Sequence, residues 1–217
     1  MIIIEVMIIS LTGFMGCGKS SVGRRLSELL CCPFMDLDQV IEEREGRTIP
    51  EIFASEGEAA FRAMELDVLK EIVVASEPRQ CVPLAPSSLE NMHKNSIGKL
   101  LHVIARSEAT WQSVDMVLAL GGGAVMTAEC AEIVHSDTIC IYLRATVDTL
   151  MEHLSGQTDN RPLLMQEESA LRDRISELME KRSATYEKTA HVIIDIDGKS
   201  IEAVASEIIS VIREELV

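Results

Sequence analysis

The segment Gly13-Phe-Met-Gly-Cys-Gly-Lys-Ser20 constrains this chain more than any other stretch. It matches G-x-x-x-x-G-K-[ST] and lies between a short apolar run, Met7 to Leu11, and an amphipathic stretch, Gly18 to Leu30. That context predicts a strand, a tight loop and a helix, in which successive backbone N–H groups and a helix N-terminus face a phosphate. Gly13, Gly16 and Gly18 allow the tight turn. Lys19 is expected to place a charge at the β- and γ-phosphates of ATP, and Ser20 a hydroxyl on Mg²⁺. Cys17 reads as a small loop residue and Ser21 as the start of the helix, and both join Gly16, Gly18, Lys19 and Ser20 as candidate nucleotide contacts. Such a loop identifies a nucleotide site and leaves the reaction open.

Around the loop, short apolar runs alternate with helical spacing. Met7 to Leu11, Pro33 to Met35, Asp115 to Leu120, Thr138 to Leu143 and His191 to Ile196 read as strands. Gly18 to Leu30, Leu37 to Glu45, Ile49 to Ala54, Glu58 to Val74, Ala128 to Val134, Val147 to His153, Glu167 to Lys188 and Ser200 to Glu215 read as helices. This order predicts an α/β fold: a parallel sheet with helices on both faces and ligands beyond the carboxyl ends of the strands. A length of 217 residues suits a single domain, 1–217.

Charge and cysteines narrow the function. A net charge of −15 argues against a nucleic-acid binder, which needs clustered Lys and Arg over a large surface. An anionic small substrate would need a local pocket of Arg or Lys. Six cysteines without a C-x-x-C pair or neighbouring His suggest reduced thiols and a cytoplasmic location. The apolar start, Met1 to Ser10, lacks a basic region and a cleavage site and reads as a buried strand; no run reaches the roughly 20 apolar residues of a membrane span.

One stretch breaks the rhythm. Residues 77–112 hold three of the six prolines, the single Trp, and four basic against three acidic residues, so they carry +1 while the remainder carries −16. They read as an insertion. Part of it, His102 to Ser113, resembles translated bacterial repeat elements. The polar run 155–160 falls within a second irregular stretch, 154–165, expected to be a mobile lid.

Phe34-Met-Asp-Leu-Asp38 places two carboxylates on alternate residues at the end of a predicted strand, where alternation would turn both to one side. One carboxylate can then serve the Mg²⁺ shell and the other accept a hydroxyl proton. An isolated D-x-D equally suits an N-cap of the following helix, and the preceding phosphate loop favours the catalytic reading.

From Phe34 to Gly46, and then through Ile49-Pro-Glu-Ile-Phe53, Gly57-Glu58 and Phe61-Arg-Ala-Met-Glu65, the chain resembles the shikimate kinase family. Leu118-Ala-Leu-Gly-Gly-Gly-Ala-Val125, Arg161-Pro-Leu-Leu164 and Arg182-Ser-Ala-Thr-Tyr186 resemble its glycine triplet, lid motif and Arg-x-x-x-Tyr helix. The resemblance implies a P-loop kinase-like three-layer sandwich with strand order 2-3-1-4-5. It also implies transfer of the γ-phosphoryl group of ATP to the 3-hydroxyl of shikimate, by a monomeric enzyme. Asp38 would bind the acceptor hydroxyls and act as base, with Asp36 near the metal. Arg62 and Arg182 would hold the acceptor carboxylate, Gly122 would lie against the acceptor, and Arg161 would neutralise the transferring phosphoryl group. A guanidinium matches a carboxylate bidentately, which supports the pairing. Glu65, one turn from Arg62, is placed to orient it.

The chain departs from the family in its lid, because no Arg occurs between Arg144 and Arg161 where a further one is usual. Gln157 and His153 are the candidates to replace it, although His153 reads better as an exposed residue at a helix end, and Lys199 is a nucleotide contact by position. The rival functions are a gluconate-type small-metabolite kinase and a non-catalytic nucleotide-binding regulator. Asp38, Arg62, the glycine triplet and Arg182 favour shikimate over the first, and the intact set of Lys19, Ser20, Asp36, Asp38, Arg62, Arg161 and Arg182 weighs against the second.

Overall fold

A computed structural model of the chain describes residues 7–76, 114–155 and 168–215. Five strands form its centre: β1 (Met7–Thr12), β2 (Phe34–Asp36), β3 (Val114–Ala119), β4 (Ile139–Arg144) and β5 (Val192–Asp195). All pair in parallel in the order β2-β3-β1-β4-β5. Each predicted strand is present, with no end moved by more than one residue. The seven α-helices of the described residues are α1 (Lys19–Leu30), α2 (Leu37–Glu45), α3 (Ile49–Ser76), α4 (Ala128–Asp137), α5 (Val147–Ser155), α6 (Glu168–Thr189) and α7 (Ile201–Glu215).

Alternation along the central strands divides the core in two. Met116 and Leu118 of β3, with Tyr142 of β4, join Ile41, Ile52, Leu69 and Tyr186 on the face covered by α2, α3 and α4. Val117, with Ile141 and Leu143, joins Leu26, Leu150 and Ile208 on the face covered by α1, α5 and α7. Because both faces are covered, the strands read as largely apolar runs in the sequence. Two polar residues interrupt β1. Ser10 shares a 2.6 Å hydrogen bond with Thr138, whose hydroxyl donates to Val134 O, while the buried Thr12 hydroxyl has no partner among the described residues.

The helices predicted over Ile49 to Ala54 and Glu58 to Val74 appear as one run, α3, broken at Gly57 by φ 81 and ψ 175. That conformation interrupts the helix where the sequence places a boundary, and it favours glycine. The sheet's carboxyl end holds the phosphate loop after β1, Asp36 at the end of β2 and the glycine triplet after β3. No helix of the described residues is long and apolar enough to cross a membrane. Five of the six cysteines, Cys17, Cys31, Cys32, Cys130 and Cys140, lie among the described residues and all are free. Burial raises the thiol of Cys130 to about 11 and that of Cys140 to about 12. Cys81, the stretch 77–112, Arg161, Gln157 and most of the stretch 154–165 lie outside the described residues.

Candidate active site

The phosphate loop closes with Gly18 in the left-handed region, φ 85, as the residue that opens α1. Gly16 is also left-handed, at φ 83. Lys19 Nζ turns into the loop and donates to Gly13 O and Phe14 O, both at 3.0 Å. Cys17 is buried beneath it, with Sγ 3.9 Å from the ammonium. Ser21 is exposed in the first turn of α1. Ser20 Oγ donates to Asp36 Oδ2 at 2.5 Å, which joins the start of α1 to the end of β2.

The two carboxylates of Asp36 and Asp38 are brought together, but not by strand alternation. Strand β2 ends at Asp36, and Asp38 lies in the first turn of α2. Asp36 Oδ1 accepts from the Asp38 backbone N–H at 3.2 Å and so caps the helix, while its other oxygen faces Ser20. Capping and site roles coincide in one side chain. Burial is the main cause raising the Asp38 pKa, the charge of Asp36 adds to it, and Lys19 and Arg62 oppose it.

The glycine triplet is where the other groups meet. A Cβ on Gly121 would lie 2.6 Å from Asp38 Oδ1 and 2.7 Å from Glu65 Oε1, and one on Gly123 would lie 2.7 Å from Arg62 Nη1. Side chains at these two positions would displace the carboxylates and the guanidinium. Gly122 contributes its carbonyl, which accepts from the Tyr186 hydroxyl and, at 3.4 Å, from Arg182 Nη1. The Arg182 guanidinium also stands 5.9 Å from the centre of the Phe14 ring, within reach of a cation–π contact.

Arg62 is held from its own helix. It donates through Nη1 to Glu65 at 2.5 Å and through Nη2 to Glu58 at 2.9 Å. Glu65 is fully buried, and its Oε1 has no hydrogen-bond partner among the described residues. Burial pushes the Glu65 pKa up, against the pull of Arg62. Tyr186, quoted in the Arg-x-x-x-Tyr motif without a role, proves to anchor Gly122. Its spacing of four from Arg182 puts both on one face of α6, which was the available signal. Lys199 is joined to Glu207 of α7 at 2.6 Å and makes no hydrogen bond to the phosphate loop among the described residues. His153 lies beside the loop, with Nδ1 2.9 Å from Gly16 O.

If Asp38 must be ionised to accept a proton, its raised pKa has a kinetic consequence. As pH falls, kcat/KM for the acceptor should decline at a pH above the ordinary aspartate value of about 3.9. A pH–rate profile tests this, and full activity down to that ordinary value would contradict it.

The sequence profile of the shikimate kinase family matches residues 15–97 and 101–213. A shikimate kinase of Thermus thermophilus is 35% identical over 201 residues, covering 93% of this chain and 87% of its own length. One of Dictyoglomus turgidum is 31% identical over 209 residues, covering 95% and 98%. Among solved structures, shikimate kinase from Acinetobacter baumannii in complex with shikimate superposes with TM-score 0.71 at 30% identity, covering 97% of this chain and 94% of that one. The Aquifex aeolicus shikimate kinase gives 0.66 at 28% identity, covering 97% and 99%. With the phosphate loop and the converging Asp38, Arg62 and Arg182, these matches place the chain in the shikimate kinase family.

Proposed function

We propose that the chain transfers the γ-phosphoryl group of ATP to the 3-hydroxyl of shikimate, giving shikimate 3-phosphate and ADP. The observation that supports this acceptor best is the convergence of Asp38, Arg62 and Arg182 on Gly121–Gly123. A carboxylate base and two guanidinium groups suit a polyhydroxylated carboxylate. Arg62 and Arg182 bind the carboxylate, and Asp38 orients the hydroxyl and takes its proton. Lys19 leaves its loop carbonyls for the β- and γ-phosphates. Arg161, from outside the described residues, is assigned to the transferring phosphoryl group, and Lys199 to the nucleotide once its ion pair with Glu207 is shared.

Ser20 Oγ and Asp36 Oδ2, adjacent at 2.5 Å, offer the hard oxygen ligands that Mg²⁺ takes. Phosphate oxygens and water would supply the remaining ligands. When bound, Mg²⁺ neutralises charge on the phosphoryl oxygens. The reading includes a monomeric enzyme and a cytoplasmic location. A coupled ADP-release assay with shikimate, with gluconate and with buffer tests the proposal. Release with gluconate alone would reassign the acceptor, and no release would favour a non-catalytic nucleotide-binding protein.

The proposal treats 77–112 as an insertion into the single domain. It falls between the end of α3 at Ser76 and the start of β3 at Val114. Closing a connection of about 37 residues rather than about 5 costs roughly 2 kcal/mol, small against a domain stability of about 5–15 kcal/mol. Joining Ser76 directly to Ser113 should therefore preserve kinase activity and leave the melting temperature at or above the parent's. An insoluble or inactive deletion protein would show that the segment belongs to the fold.

A further inference from the structure

The last turn of α5 bears on the phosphate loop at Gly16. His153 Nδ1 lies 2.9 Å from Gly16 O. Next to it, the buried Leu154 packs so closely that a Cβ on Gly16 would lie 3.0 Å from its Cγ and Cδ2. A carbonyl oxygen only accepts, so Nδ1 carries the proton in this contact and donates it. Gly16, at φ 83, has the conformational freedom that lets the peptide joining it to Cys17 rotate at little cost unless something holds it. In a planar trans peptide the C=O and N–H point in opposite directions. With Gly16 O turned out toward His153, the Cys17 N–H turns inward, where it donates to Phe14 O at 3.3 Å. Lys19 Nζ donates to the same carbonyl, so this N–H and the ammonium meet inside the loop.

We propose that His153 is a positioning residue for the nucleotide. Its Nδ1–H holds the Gly16–Cys17 peptide in the one orientation that presents the Cys17 N–H to the phosphates. The contact directs His153 to the loop backbone rather than to an adenine ring. This inference rests on the reading of the loop as the ATP site. His153 is exposed on its helix, so its replacement should leave the fold intact.

Calorimetric titration of the full chain with ADP in Mg²⁺, and separately with shikimate, tests the assignment in the parent, His153→Asn and His153→Phe. Asn keeps an N–H donor near the Nδ1 position, whereas Phe keeps the ring and loses the donor. The Phe variant should bind ADP about three- to tenfold more weakly, the range for loss of one hydrogen bond. The Asn variant should stay within about twofold of the parent, and shikimate affinity should be the same in all three. ADP binding by the Phe variant equal to the parent's, or an Asn variant as weak as Phe, would overturn the assignment. Parallel loss of ADP and shikimate would also overturn it, by showing a general structural role. A parent that binds no ADP would instead overturn the reading of the loop as the nucleotide site.

Discussion

Lys19→Ala and Asp38→Asn should each slow phosphoryl transfer severely, by about two to three orders of magnitude for Lys19 and about two to four for Asp38. The reasons differ. Lys19 supplies the one side-chain cation held by the loop carbonyls among the described residues, and its removal takes a charge from the phosphate clamp. Its loss should weaken ADP binding as well as turnover. Asp38→Asn keeps the side chain's size beside Gly121 but removes the proton acceptor. Asn should therefore spare nucleotide affinity while kcat falls. Stopped assays of both variants, with ADP titrations alongside, check this, and an Asp38→Asn enzyme turning over like the parent would remove Asp38 from the role of base.

Arg62→Ala or Arg182→Ala should weaken shikimate binding by about 1.5–3 kcal/mol each, roughly tenfold to more than a hundredfold, with little change for ATP. The two variants should differ in stability. Arg62 pairs with the buried Glu65, so its removal strands a carboxyl group whose other oxygen already lacks a partner among the described residues, and the melting temperature should fall. Arg182 contacts Gly122 O at 3.4 Å, the Tyr186 hydroxyl and, as a stand-off, the Phe14 ring, and because none of these is a buried carboxylate its loss should cost less stability. Calorimetry that found equal losses for ATP and shikimate would point to a general structural role.

Much of this architecture is legible in the sequence because buried parallel strands leave a strong mark. Met116 to Leu120 and Ile139 to Leu143 face two covered surfaces and so carry apolar residues throughout. The phosphate loop is equally legible, since its glycines and Lys19-Ser20 stand at fixed offsets. What stayed hidden depends on tertiary contact. In a strand of three residues, alternation cannot be told from capping, so the placement of Asp38 in α2 emerges only from the Asp36 hydrogen bond. The Tyr186 bond to Gly122 spans 64 residues and the His153 contact with Gly16 spans 137. The spacing from Arg182 marks the face that Tyr186 shares, but no local pattern encodes the partner of Tyr186 or of His153. Glu65 is the intermediate case, because its i,i+3 spacing from Arg62 is readable but its complete burial is not.

The most direct test of the central claim is phosphorus NMR of the product formed from ATP, Mg²⁺ and shikimate. The expected result is one new phosphate-ester resonance coupled to the proton on C3 of shikimate, appearing in step with ADP. Release of inorganic phosphate alone, or an ester on a different hydroxyl, would contradict the assignment of Asp38, Arg62 and Arg182 as the acceptor site for the 3-hydroxyl.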